Sequence, residues 1–302
     1  DKRWMVLKGS VALPNSAREV TTWAMFTSDQ AKLWRESLEY LADATFWYSK
    51  WNGDYPYNHV TAVDGTISAG GGMEYPNITV IGRAGSDLGL EQVIVHEVGH
   101  NWFYGILGSN ERTNAWMDEG INSFNESRYF VEKYGDELGL AGSNATPLME
   151  KLEVTRFSYQ SKDQLAYLMS ARMLVDQPMQ CHSDSFSQIN YGTIVYMKSA
   201  AAFEYLRQAL GSDVFDVGMH AYFDAWKFKH PSPADLRTSL ETSTGKDLSW
   251  FFDDIVQTTG HTNYALHSLN RQGDDYTLRV QNRGDIAGPF SVSGQTGDST
   301  WV

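Results

Sequence analysis

The sequence predicts a fold of the α+β class, in which strands come first, a mostly helical half follows and a second strand-rich segment ends the chain. Short runs rich in β-branched and aromatic residues occupy positions 4–7, 20–23, 59–63 and 78–81. From Ser86 onward the pattern is mostly helical. After Gly260, short strand-like runs separated by Gly, Asn and Asp return.

The length and composition indicate a globular protein. With 302 residues, 42% of them hydrophobic, the chain can bury a sizeable core in one large domain or two smaller ones. Its formal net charge of -13 argues against nucleic-acid binding, because neutralising phosphates requires a basic face. The single cysteine, Cys181, excludes an intrachain disulfide. No apolar run approaches the ~20 residues of a membrane-spanning helix, and residues 1–25 lack the layout of a signal peptide.

Several elements have recognisable ends. Ser28 or Asp29 can cap a helix that runs to about Lys50. Ser232 followed by Pro233 marks the start of another helix. Further helices are predicted at 88–104, 115–134, 193–210 and 247–257, and further strands at 264–269, 276–280 and 290–292. The first helix has an apolar stripe made of Leu33, Ser37, Leu41, Ala44 and Tyr48.

The pentapeptide His96-Glu97-Val98-Gly99-His100 lies within the predicted helix at 88–104. Four residues make slightly more than one helical turn, so both imidazoles project from the same face and can bind one tetrahedral metal ion. Glu97 follows His96 directly and can act on a water molecule at that metal. The pattern is typical of a zinc peptidase.

A second acidic segment supplies a third ligand. Glu119 lies 19 positions after His100, at the start of the predicted helix at 115–134. Two His and one Glu are an established set for a catalytic zinc, and they leave a fourth position open for water. A loop at 106–113 and a cap at Asn114 would fold the two helices into a hairpin. The sequence therefore predicts one zinc ion per chain, held by His96, His100 and Glu119.

These residues resemble the gluzincin signature of the aminopeptidase N family of zinc metallopeptidases, which has HExxH, eighteen further residues and then a glutamate. The family also has an upstream Gly-x-Met-Glu-Asn segment. The stretch Gly71-Gly72-Met73-Glu74-Tyr75 matches that segment except at Tyr75, where the family has asparagine. The resemblance implies that Glu74 binds the free α-amine of a peptide, and that the edge strand around Gly71, Gly72 and Met73 aligns the peptide backbone.

A third match lies downstream. Tyr196-Met197-Lys198-Ser199 resembles the family's Tyr-x-Lys-Gly helix, with Ser199 in place of the glycine. The resemblance implies that the Tyr196 hydroxyl hydrogen-bonds the oxyanion of the tetrahedral intermediate. Tyr191, five residues earlier, is the alternative for this role.

Two further carboxylates are candidates for supporting the metal ligands. Glu126 lies two helical turns after Glu119 on the same helix face, where it could accept a hydrogen bond from a ligand histidine. An exposed position on the helix surface is the equally open alternative for Glu126. Asp118 is a weaker candidate for the same supporting role.

The resemblance also implies a domain organisation. A thermolysin-like α+β catalytic domain is expected at residues 26–260. The remnant of an N-terminal β-domain is expected at 1–25, and the beginning of a truncated β-sandwich domain at 261–302.

The function implied by the resemblance is that of a zinc-dependent aminopeptidase, which removes N-terminal residues from peptides by metal-activated water with Glu97 as general base. The expected partner is a peptide with a free N-terminus, with no nucleic acid and no membrane span in this chain. Oligomeric state and compartment stay open. A zinc endopeptidase on the same core is the main alternative, because Tyr75 alters the amine-recognising segment. A family-like epoxide hydrolase and a non-catalytic binding protein are further alternatives, and the intact motif argues against the last.

Overall fold

Five strands form a mixed sheet in the computed structural model, which describes residues 2–67, 71–135, 138–139, 146–151, 157–273, 275–296 and 299–301. Strands β2, β3 and β5 are parallel to one another, whereas the outer strands run antiparallel to their neighbours. The sheet has the order β1-β2-β3-β5-β4, with β1 (Trp4–Ala12), β2 (Glu19–Thr27), β3 (His59–Asp64), β4 (Gly72–Met73) and β5 (Ile78–Ile81).

The helical half follows the sheet. Helix α1 (Ser37–Asn52) lies between β2 and β3 in the chain and packs on the sheet and on α2 (Asp87–Gly99). The later helices are α3 (Ile121–Tyr134), α4 (Pro147–Lys151), α5 (Ser161–Arg172), α6 (Gln188–Asn190), α7 (Ser199–Leu210), α8 (Ser212–Trp226) and α9 (Pro233–Thr244). Wider π-helical turns occupy Trp116–Gly120, Tyr191–Lys198 and Trp250–Val256. The described helices and the sheet together confirm the α+β class.

Strands return at the end of the chain. The hairpin of β6 (Tyr264–Gln272) and β7 (Asp275–Asn282) is followed by β8 (Gly294–Thr296), which pairs with β9 (Ser299–Trp301). The strand predicted at 290–292 is wrong. Phe290 packs against Tyr264 with ring centroids 4.4 Å apart, and the Tyr205 hydroxyl donates a hydrogen bond to the carbonyl of Pro289, so these contacts take the place of strand pairing.

Two helix ends differ from the prediction. Helix α1 begins at Ser37, because the buried Trp34 stacks on Phe26 of β2 and the preceding residues form two short 3-10 turns. Helix α2 ends at Gly99 and not near residue 104, since the Trp102 indole N–H donates to the Gly53 carbonyl and draws the chain into the core.

The sheet continues across the predicted boundary between residues 25 and 26. That boundary lies inside β2, which pairs with β3 from Thr21 opposite His59 to Met25 opposite Val63. Residues 4–27 therefore belong to the same sheet as β4, which reaches the site described below. Among the described residues, we find no helix long and apolar enough to cross a membrane.

Helices α1, α2 and α3 approach one another closely at Gly99, the last residue of α2. A Cβ atom at this position would lie 2.0 Å from Oδ1 of Asn122 and 2.4 Å from the ring of Tyr48. The Asn122 amide donates to the His96 carbonyl at 2.8 Å, and its oxygen accepts from the Tyr48 hydroxyl at 2.8 Å. This contact joins α1, α2 and α3 and depends on glycine at position 99.

Replacing that glycine tests the packing. We expect Gly99→Ala to lower the free energy of unfolding by about 1–3 kcal/mol, because the new methyl group forces the three helices apart. Urea unfolding measures this change. Gly85→Ala is the matched control, since its Cβ would meet no atom within 4 Å; a loss at Gly99 no larger than at Gly85 would contradict the close approach.

Candidate active site

Helix α2 and the residue that follows it carry the two histidines of the predicted ligand set. The helix begins after Ser86, whose side chain accepts a hydrogen bond from the Gly89 N–H at 3.1 Å. Leu90, Ile94 and Val98 are fully buried along one face. His96 and His100, four residues apart, lie on a neighbouring face that lines a cavity.

The chain returns to the site after the loop that follows α2. Asn114 precedes the second helix as predicted, but its side-chain oxygen accepts from the Gln180 amide at 2.7 Å instead of capping the helix. Glu119 lies in the π-helical turn Trp116–Gly120. Such turns widen the helix locally and are frequent at functional sites.

The three predicted ligands converge on one point. Oε2 of Glu119 lies 3.1 Å from Nε2 of His96 and 3.2 Å from Nε2 of His100, and the two Nε2 atoms are 3.2 Å apart. In a tetrahedral site with ligands ~2.0–2.1 Å from zinc, ligand atoms are about 3.3–3.4 Å apart. The donor set and its spacing therefore fit a zinc ion, and among the described residues only these three side chains form such a cluster.

Both histidines are held by carboxylates through their other ring nitrogen. Nδ1 of His96 lies 3.0 Å from Oε2 of Glu126, and Nδ1 of His100 lies 2.7 Å from Oδ1 of Asp118 and 3.1 Å from the Phe103 carbonyl. These acceptors favour the tautomer with hydrogen on Nδ1, which leaves Nε2 free to bind a metal.

Glu97 lies beside the triad and against the edge strand. A Cβ atom on Gly72 would come within 2.2 Å of the Glu97 carboxylate, so a side chain at position 72 would displace that carboxylate from its present place. Burial raises the pKa of Glu97 to about 7, although the neighbouring His96 and His100 lower it. Oε2 of Glu97 is buried and has no hydrogen-bond partner among the described residues. This oxygen therefore has unused hydrogen-bonding capacity.

The predicted substrate segment lines the same cavity. Gly71, Gly72, Met73 and Glu74 all contribute to the lining, and β4 pairs with β5 through Gly72 opposite Ile81. The Glu74 side chain is half-buried. Tyr75, which departs from the family pattern, is 52% exposed.

The two candidate tyrosines occupy different places. Tyr196 lines the cavity and stacks on His96 with ring centroids 6.1 Å apart, whereas Tyr191 lines a separate small cavity beside Arg112. Burial and the nearby Glu119 carboxylate raise the pKa of Tyr196 above its ordinary value, so its hydroxyl stays protonated. Of the two, Tyr196 is the one that can donate a hydrogen bond into the site.

Gly120 allows the turn that carries Tyr196 to pack closely against the turn that carries Glu119. A Cβ atom on Gly120 would lie 2.4 Å from Cβ of Ser199 and 2.8 Å from the Val195 carbonyl. The two π-helical turns that carry Glu119 and Tyr196 therefore touch through this glycine. Ser199, which replaces the family's glycine, fits because Gly120 has no side chain.

The cavity has a volume of about 500 Å³. Besides the residues already described, its lining includes Val93, Ser123, Ser127, Asp163, Gln92 and Lys162, and the last two bear on the metal site. Both contact Glu126: the Gln92 amide donates to Oε1 at 2.9 Å and the Lys162 ammonium at 3.1 Å. Gln92 could have been found, since it lies four residues before His96 on the same helix face. Lys162 carries no local signal.

The fold and site together define a gluzincin-type metallopeptidase domain, with two histidines on one helix and a glutamate on the next. Residues 40–255 match the profile of the "Peptidase family M1 domain". The chain therefore belongs to peptidase family M1, which confirms the resemblance to the aminopeptidase N family.

Sequence relatives agree with this assignment. The chain is 25% identical over 178 residues to "Aminopeptidase N" of Lactococcus lactis subsp. lactis, and the match covers 56% of the chain and 18% of that protein. It is 24% identical over 194 residues to "Puromycin-sensitive aminopeptidase" of Caenorhabditis elegans, covering 63% of the chain and 19% of that protein. The chain thus spans about a fifth of the length of these curated relatives.

Solved structures share the fold. The M1 zinc metallopeptidase of Deinococcus radiodurans superposes with a TM-score of 0.61 at 18% identity, over 84% of this chain and 51% of that one. Aminopeptidase A of Legionella pneumophila in complex with aspartic acid superposes with a TM-score of 0.68 at 16% identity, over 92% of this chain and 31% of that one.

The Asp118 contact leads to a prediction about metal affinity. We expect Asp118→Asn to weaken zinc binding by about 10–100-fold, because His100 loses the charged acceptor that orients its ring. Competition with a chromophoric chelator measures the dissociation constant. Asp184→Asn is the control, since Asp184 is an exposed carboxylate paired with Arg112. Equal zinc affinities for the two variants would contradict a supporting role for Asp118.

Proposed function

We propose that this chain is the catalytic part of a zinc-dependent aminopeptidase, which hydrolyses N-terminal residues from peptides. The observation that carries the proposal is that Glu74 lines the same cavity as the metal triad and Glu97. The relatives named as aminopeptidases support it. A variant of the Deinococcus radiodurans metallopeptidase has also been solved with a Tyr-Ser-Ala substrate bound.

His96, His100 and Glu119 would hold one zinc ion per chain. When bound, zinc polarises the scissile carbonyl and lowers the pKa of water towards about 7. Glu126 and Asp118 keep the two imidazoles in the orientation that this ligand set needs. The ligands thus come from two helices whose relative position is fixed by the Gly99 contact.

Glu97 is the general base. It accepts the proton of the attacking water and then delivers it to the leaving amine, so no covalent intermediate with the enzyme forms. Its unpartnered Oε2 supports this role, because a buried carboxylate oxygen without a partner is otherwise unfavourable. The contact with Gly72 keeps the carboxylate next to the strand along which the peptide would lie.

Tyr196 stabilises the negative charge that develops on the carbonyl oxygen. Its hydroxyl remains protonated in this buried position and can donate a hydrogen bond to that oxygen. The side chain is restrained by the His96 ring, on which it stacks.

Glu74 and β4 select the amino terminus. β4 is the last strand of the described sheet on its side, so its outer edge can pair with an extended peptide. A carboxylate at the end of this strand suits a protonated α-amine. The resulting preference is for peptides with a free N-terminus.

The central test compares substrates with and without that amine. We expect an aminoacyl amide with a free amine to be hydrolysed at least about 100-fold faster than its N-acetylated form, because acetylation removes the charge that Glu74 recognises. Glu74→Gln should lower kcat/KM for the free-amine substrate and reduce this discrimination. Steady-state kinetics on both substrates measure it.

Glu97→Gln is the control for that experiment. It should retain zinc but lose activity by about 10²–10⁴-fold, which shows that the measured hydrolysis belongs to this site. Equal cleavage of free and acetylated substrates would instead indicate an endopeptidase. Full activity of Glu97→Gln would refute the proposed base.

The two tyrosines provide a matched pair of variants. We expect Tyr196→Phe to lower kcat by about 10²–10³-fold with little change in zinc content, because the oxyanion loses a hydrogen-bond donor. Tyr191→Phe should remain close to wild type, since Tyr191 lines the other cavity. A larger effect at Tyr191 would reverse the assignment.

A further inference from the structure

We propose that Lys162, in the first turn of α5, is a positioning residue for the metal ligand His96 and acts on it through Glu126. The proposal rests on the zinc ligands assigned above. It concerns a part of the chain, residues 161–172, that carries none of the sequence motifs. Through this lysine, α5 becomes part of the metal site.

Glu126 is held at both of its oxygens. Oε1 accepts from the Gln92 amide of α2 at 2.9 Å and from the Lys162 ammonium at 3.1 Å. Oε2 remains for Nδ1 of His96, 3.0 Å away. Because two donors on different helices occupy Oε1, the carboxylate cannot rotate without losing one of them. Its orientation towards the His96 ring is therefore fixed.

Lys162 is itself anchored. Its ammonium donates to the Tyr159 hydroxyl at 2.8 Å and lies 4.0 Å from the centroid of the Tyr159 ring. The Tyr159 ring packs against Phe130 of α3 with centroids 5.0 Å apart. Since the side chains of Glu126 and Lys162 are only 8% and 22% exposed, this ion pair is shielded from solvent far more than a surface pair.

A simpler role for Lys162 would be long-range charge compensation. The described part of the cavity lining contains the carboxylates of Glu74, Glu97, Glu119, Glu126 and Asp163, and Lys162 is its one lysine or arginine. A cation near the site repels a divalent metal ion, so this role predicts tighter zinc binding when the lysine is removed. Positioning through Glu126 predicts weaker binding. The sign of the change in zinc affinity therefore distinguishes positioning from charge compensation.

The experiment measures zinc dissociation constants by chelator competition. We expect Lys162→Met to weaken zinc binding by about tenfold, and Glu126→Gln to weaken it by a similar or larger factor. In the Glu126→Gln background, Lys162→Met should change the affinity by no more than about twofold, because the two residues act as one unit. Lys162→Arg, which keeps the charge and donors, should restore most of the affinity.

Lys133→Met is the matched control for removing a buried lysine. The Lys133 side chain is 17% exposed and pairs with Glu39, Asp43 and Glu91, none of which lines the cavity. We expect this variant to lose stability without a change in zinc affinity. Melting curves of all variants show whether each one folds. If Lys162→Met does not fold, the zinc-affinity measurement continues with Lys162→Arg.

The proposal is overturned by unchanged or tighter zinc binding in Lys162→Met, or by an effect that is equally large with and without Glu126. A change in KM alone, at unchanged zinc affinity, would make Lys162 a substrate contact and would also overturn it. His100→Ala separates this failure from that of the proposed function. If His100→Ala binds zinc like wild type, the ligand assignment itself is wrong; if it loses zinc while Lys162→Met keeps it, only the role of Lys162 fails.

Discussion

The site depends on how closely helix α2 approaches helices α1 and α3. Asn122 of α3 donates to the main-chain carbonyl of His96 and accepts from Tyr48 of α1, and this contact is possible because Gly99 has no side chain. The backbone of His96, a proposed zinc ligand, is thus tied directly to the helix that follows Glu119. Main-chain packing therefore contributes to the spacing of the three proposed ligand atoms.

The same packing also determines how the buried carboxylates around the site are paired. A buried carboxylate is unfavourable unless it is paired, and the carboxylates of Asp118, Glu119 and Glu126 each contact a histidine or lysine. Glu97 differs, because one of its oxygens is buried without a partner in the described residues. The proposed base thus keeps one carboxylate oxygen without a hydrogen bond in the part of the chain that the structure describes, as expected of a group that must exchange protons with water and substrate.

Features that depend on local residue spacing could be predicted from the sequence. The spacing of four residues predicts that His96 and His100 project from the same side, and the distance of Glu126 from Glu119 predicts a shared helix face, with an exposed position as the open alternative. Lys162 could not be found in this way, because it meets Glu126 only through the packing of α5 on α3. The π-helical turns could not be predicted either, since apolar periodicity at helical spacing does not reveal a local widening of the helix.

The predicted helix ends are wrong where one large side chain sets the path of the backbone. Trp34 does so before α1, and Trp102 does so after α2. In each case, a contact with a distant part of the chain overrides the local helical pattern.

The contact between Gly72 and Glu97 couples two parts of the molecule that the sequence separates by a strand and most of a helix. No side chain of Gly72 intervenes between the backbone of β4 and the carboxylate, so the edge strand lies directly against the proposed base. A peptide paired with β4 would have its scissile bond registered against Glu97 by main-chain geometry alone. Register would then be independent of the peptide's side chains, which would meet only the other walls of the cavity.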